Sequence, residues 1–195
     1  MKYLNGLDPN IDLIEEIAGH IISTHKKSKS LFLNFNYTSL IKSYISTNDI
    51  LINIHGELDN PEQIIFGYGD EMNPFYSNLE NINRNEFLQN FKSFGYSKSD
   101  NYQRLINFVD FEDFEIRILG HSCGISDKVL LNTLFGHRNC SKIRVYYHQM
   151  SNMKDDYFEK SMEISRHFSA SDKQSMRIKL VPKSESVPLI SYKNM

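Results

Sequence analysis

The 195-residue sequence has only two cysteines, Cys123 and Cys140. Two thiols are too few for a disulfide scaffold and suit a reducing compartment. There is no excess of positive charge either: 22 basic against 24 acidic residues leave a net charge of −2. That removes the basic field on which non-specific nucleic-acid binding depends. The cluster His25, Lys26, Lys27 and Lys29 reads as a solvated helix end. No apolar run approaches the ~20 residues needed to span a bilayer. The opening MKYLNGLDPNIDL lacks a continuous apolar stretch of signal-peptide type. Internal repeats and low-complexity blocks are missing as well. The expectation is a cytoplasmic protein with no membrane or nucleic-acid partner.

What is present is ordinary for a globular chain, with 40% hydrophobic and 24% charged residues, enough for one domain with a real core. Asp8-Pro9 reads as a helix N-cap followed by Pro at the first helical position. Ile14, Ile17, Ala18, Ile21 and Ile22 then recur at helical spacing, so 9–27 is expected as an amphipathic helix. Strands are expected at 31–35 (LFLNF), 49–56 (DILINIHG), 63–69 (QIIFGYG), 114–120 (FEIRILG), 141–147 (SKIRVYY) and 176–182 (MRIKLVP). Helices are expected at 38–45, 126–137 and 155–168, with two more across 78–108 broken around Gly95–Ser99. The alternation argues for an α/β domain over 1–182, a mostly parallel Rossmann-like sheet with helices on both faces. Residues 183–195 read as a loose tail.

In such sheets ligands sit beyond the carboxyl ends of the strands, and unusual polar residues gather there. The first strand ends in NFNYT, with Asn34, Asn36, Tyr37 and Thr38. The second ends in His55-Gly56, the third in Gly67, Gly69 and Asp70, and the fourth in Gly120-His121-Ser122. Each is open to a plainer account. Asn36 could cap the following helix, and His55 could satisfy a turn carbonyl. The glycines could simply permit tight turns, and Asp127 could be a first-turn acid facing a helix dipole.

Two other chemistries draw on the residues around this turn. His121, Cys123, His137 and Cys140 could suggest zinc, but no compact CxxC pair exists, and no metal is expected. GHSCG matches the G-x-S-x-G spelling with Ser122 at its centre. Its partners Asp155 or Asp156 and His167 would have to come from one helix, whereas a hydrolase draws them from separate strand ends.

Taken in order, FNYT, IHG, IIFGYGD, ILGHSCGISDK and IRVYYH resemble the AbiH family of phage abortive-infection proteins, themselves similar to sirtuin-like NAD-consuming domains. The resemblance covers roughly residues 30 to 150. It implies NAD as substrate or ligand, with Asn36 positioning the ribose or the attacking water and His55 acting as general base or ribose-hydroxyl acceptor. Gly120 and Ser122 would approach the ribose or phosphates, and Gly56, Gly67, His121 and Asp127 would complete the dinucleotide site. The chemistry is coherent. Cleaving an N-glycosidic bond builds positive charge on the ribose carbon, and a histidine near neutrality suits the proton acceptor its hydroxyls need.

Members of that family begin with a strand and a Gly-rich turn of the GNGFD kind. Here Asn5-Gly6-Leu7-Asp8 has no preceding strand and no first Gly. The resemblance therefore implies the C-terminal half of a family member. A partner chain would then supply the missing phosphate cradle, or the module would be non-catalytic, sensing a nucleotide or binding a partner.

Overall fold

The computed structural model describes residues 29–68, 71 and 75–190. The helix expected at 9–27, and Gly69 and Asp70 at the end of the third expected strand, lie outside them. The described chain is α/β. Strand β1 (Leu31–Asn34) leads through a 3-10 turn (Leu40–Ser43) to β2 (Ile50–Asn53). A long excursion follows, holding α1 (Tyr76–Asn81) and the single turn α2 (Lys92–Gly95), before α3 (Asn101–Phe111). Then come β3 (Phe114–Leu119), α4 (Lys128–Gly136), β4 (Cys140–Ser151) and β5 (Lys154–Asp155). Helices α5 (Tyr157–Ser165) and α6 (Lys173–Lys179) and strand β6 (Pro188–Ile190) complete it.

Hydrogen bonding divides the strands into two sheets. Strands β1 and β2 form a parallel pair, with Leu31 opposite Ile50 and Asn34 opposite Asn53. In the second sheet β4 is parallel to β3 and β6 but antiparallel to β5. A shared core joins the two. Leu31, Leu33, Ile50, Ile52 and Ile54 pack with Leu105 and Val109 of α3, and Phe114 and Ile116 of β3 reach the same cluster. Helix α4 straddles both halves of the interior: Leu130 and Leu134 face this cluster, whereas Leu131 and Phe135 enter the one built on Ile143, Val145 and Ile164. One apolar helix, wetted on little of its circumference, thus ties the two sheets together.

Several expected elements differ. The first of the two helices expected across 78–108 is broken into α1, a 3-10 turn (Asn85–Phe87) and α2. Residues 63–68 do not form a strand: 61–63 make a 3-10 turn, and of these residues Tyr68 alone bridges to another segment, at Phe91. The carbonyls that a sheet neighbour would take are used by side chains, Ile64 accepting from Lys98 Nζ and Ile65 from the Tyr37 hydroxyl. Residues 176–182 alternate like a strand, yet 173–179 are helical. Met176 and Leu180, four apart, face the core while Ile178 is exposed, so the buried period is helical. Only Leu180 keeps a strand-like contact, a bridge to Ile143. The helix expected at 38–45 is a single 3-10 turn. Residues 183–190, expected as the start of a loose tail, are anchored: Pro188 pairs with Tyr147, and Arg144 donates to the Glu185 carbonyl at 2.6 Å.

Candidate functional site

The carboxyl ends of β1, β2 and β3 converge on a buried carboxylate. Asp127 is the first-turn acid of the 3-10 turn Ile125–Asp127 and sits at the N-cap position of α4, but its side chain makes no capping bond there. It turns inward instead. Oδ1 lies 2.7 Å from Lys92 Nζ and 3.2 Å from His55 Nε2, and Oδ2 is 3.7 Å from His121 Nε2 and accepts from Ser126 Oγ at 3.1 Å. Burial alone would raise the carboxyl, but the His55 ring and the Lys92 ammonium overcome it and hold it well below the usual carboxylate range. A buried carboxylate survives as an anion only with such compensation.

His55 is only 4% exposed. Its Nδ1 is 3.4 Å from the Phe35 carbonyl, and its Nε2, though close to Asp127, has no aligned hydrogen-bond partner. The rings of Phe35 and Tyr37 flank it at 5.4 and 6.2 Å. His121 is fixed more firmly. Its Nδ1 accepts the Cys123 N–H at 3.0 Å, so in the neutral ring the proton resides on Nε2, toward Asp127. Burial lowers the His121 pKa most; Asp127 works against this, and Lys160, His55 and Lys92 add to it.

The turn from β3 to α4 is held from several sides. Lys160 donates to the His121 carbonyl at 2.9 Å, and His167 Nε2 lies 2.8 Å from the Cys123 carbonyl. Cys123 itself is left-handed, with φ +56°, a conformation that costs a non-glycine residue about 1–2 kcal/mol. Gly120 is also left-handed at φ +70°, and among the described residues a Cβ there would come within 4 Å of Leu189 alone, at 3.8 Å. The approach over it is open with respect to those residues. Ser122 is exposed, accepts the Gly124 N–H at 3.4 Å, and lines a groove of about 470 Å³ with Asp156, Glu159, Lys160 and Glu163.

The residues singled out in the sequence are therefore only partly gathered. His55, His121 and Asp127 share one cluster, and Gly120 and Ser122 lie on the turn that carries His121. Asn36 is exposed, its backbone N–H is held by Asn34 Oδ1 at 3.1 Å, and the N-cap of the 3-10 turn that follows is Ser39. Gly56 makes the turn after β2 at φ +83°, where a Cβ would stand 2.5 Å from the Gln63 carbonyl oxygen; Gly67 packs against Asn90. The four residues weighed as zinc ligands face elsewhere: His137 approaches Asp110 at 3.3 Å, and both cysteines are buried. Burial raises the thiols to about 12 and about 11. His167 is spent on a carbonyl, so the serine-hydrolase arrangement is not formed.

Lys92 and Asn53 belong to this region but were not singled out in the sequence. Lys92 is 35 positions from Asp127, and no local pattern pairs them. Asn34 and Asn53 form a side-chain bond of 2.7 Å between β1 and β2, and Asn53 continues to Glu57, which pairs with Lys42. An Asn near the end of each of two adjacent parallel strands was the available clue.

The fold and these contacts define an α/β protein with a histidine–aspartate–lysine cluster at the carboxyl ends of its strands. Sequence comparison carries this further. The model of the bacteriophage abortive infection AbiH family matches residues 8–149, and the chain belongs to that family. The match starts upstream of the motifs from Asn34 onward. No curated protein and no solved structure matches the chain. Among the described residues no helix is long and apolar enough to cross a membrane, and no group of three or more His, Cys, Asp or Glu side chains is arranged to hold a metal ion.

Proposed function

We propose that this abortive-infection protein works in phage defence through a nicotinamide dinucleotide held at the strand-end site. The carrying observation is the meeting of three strand ends. The Phe35 ring contacts those of both His55 and His121, and Asp127 lies between the two histidines. Two features fit a bound nucleotide: the buried His55 Nε2 that lacks an aligned partner, and the open approach over Gly120. The dinucleotide would supply the N-glycosidic bond. Gly120 and Ser122 would bind its ribose or phosphates, and Asn36 would orient the ribose or a water molecule. His55, backed by Asp127, would accept a proton from a ribose hydroxyl. Gly56 and Gly67 would shape the turns around the site, and His121 would hold the turn after β3. In this reading the fold is Rossmann-like and sirtuin-like, and the protein works in the cytoplasm.

A second reading, a non-catalytic nucleotide-sensing or partner-binding module, is favoured by the burial of His55. Incubation with NAD, reading released nicotinamide and calorimetric binding in parallel, separates the two. Release that disappears in His55→Ala supports the enzyme. Binding without release supports the sensor. Neither signal overturns the nucleotide assignment.

A further inference from the structure

If His55 serves a ligand, something must give way, because the histidine is enclosed by the excursion between β2 and α3. The enclosure can be followed residue by residue. The Ile65 N–H donates to the His55 carbonyl at 2.9 Å. Gly95 of α2 lies so close to Ile65 that a Cβ there would come within 2.6 Å of its side chain. Lys92, one turn earlier on α2, extends its ammonium to the same Asp127 oxygen that His55 approaches. The circuit His55, Ile65, Gly95, Lys92, Asp127 closes on itself. Lys92 is carried by a single helical turn whose backbone is joined to the neighbouring segment at Tyr68, where the Lys92 N–H donates at 3.1 Å.

We propose that Lys92 is the positioning residue of the strand-end site and the latch of a cover. Paired with Asp127, it sets the carboxylate that faces His55 and holds α2 and residues 63–65 over the imidazole. Ligand reaches His55 when the pair opens. This rests on the reading of the strand-end site given above. An ion pair suits the task because the cost of desolvating two charges offsets much of their attraction. Closed and open states then differ by little, and a ligand that binds only the open one can shift the balance.

The test labels histidines of the full chain with diethyl pyrocarbonate and maps them by peptide mass spectrometry. Exposed His148 reports reagent activity, and His167, 2% exposed in the core, reports global unfolding. In the wild type His55 should label at least tenfold faster than His167, at the rate at which the amides of 92–96 exchange. Lys92→Met should speed His55 labelling a further tenfold with His167 still protected, and Lys92→Arg should restore the wild-type rate. The double variant Lys92→Met/Asp127→Asn leaves no orphan charge and should behave like Lys92→Met. The proposal is overturned if His55 labels only as fast as His167 in the wild type, or stays protected in the folded double variant. None of these readings needs NAD. Failure to bind NAD therefore strikes the functional assignment alone, and NAD binding with His55 protected throughout strikes the latch alone.

Discussion

Phe35 and His121 stand ring to ring, with centroids 4.1 Å apart, although β1 and β3 belong to separate hydrogen-bonded sheets. This contact joins the ends of the two sheets, and Phe35 also packs against both core clusters. Phe35→Ala should therefore cost roughly 3 kcal/mol in urea denaturation, the scale of a buried aromatic truncation. A loss below about 1 kcal/mol, within the usual range for surface changes, would mean the sheets are joined elsewhere.

Two left-handed glycines should respond differently to alanine. At Gly56 the added methyl would stand 2.5 Å from the Gln63 carbonyl oxygen, so the turn must move as well as adopt a disfavoured φ. At Gly120 only the φ penalty applies, about 1 kcal/mol. Gly56→Ala should lower the denaturation midpoint well beyond Gly120→Ala. The latter should retain the fold and weaken NAD binding, measured by calorimetry.

Asp127→Asn should destabilise the chain, because the Lys92 ammonium must either stay buried without its counter-charge or draw α2 away from the site to reach water. Removing both charges should recover much of the loss. A double-mutant cycle by chemical denaturation measures the coupling, and additive losses would show that the pair contributes little.

The histidines set an acid limit. Burial, the largest cause, lowers the pKa of both His121 and His167 in the folded chain. Above the unfolded value of about 6.5 neither state binds the proton, and stability is unaffected. Below it the unfolded chain protonates first, so stability falls with pH, by up to about 1.4 kcal/mol per unit for each ring, until the folded-state pKa is passed. His167→Gln, which can still donate to the Cys123 carbonyl, should reduce that slope just below about pH 6.5. An unchanged slope would place the proton uptake at other groups.

If the chain releases nicotinamide, His55→Ala and Asn36→Ala should each remove most turnover. Ser122→Ala should instead weaken apparent affinity up to about tenfold, the worth of one hydrogen bond. Turnover retained in the His55 variant would rule this site out as the seat of the chemistry.

The α/β class, strands β1 to β4 and helices α3 to α5 were legible because each carries its own apolar period and a turn signal at its ends. Where the period was ambiguous the reading failed. Residues 176–182 alternate well enough for a strand, but the decision fell to Met176 and Leu180, which meet a core the local sequence does not describe. Residues 63–69 are apolar enough for a strand, yet Tyr37 and Lys98 take their carbonyls from far along the chain.

The same division runs through the site. Strand-end motifs are local, so His55, Gly120, His121 and Ser122 could be picked out from residue type and position alone. Their arrangement could not. The sequence by itself determined which polar groups stand at the ends of apolar strands, because burial of a strand and the turn that ends it are encoded within a few residues. Tertiary structure alone decided that Asp127 faces inward between two histidines and that Lys92 closes over it. A buried charge is compensated by whatever the fold brings within a few ångströms, and that distance has no counterpart along the chain.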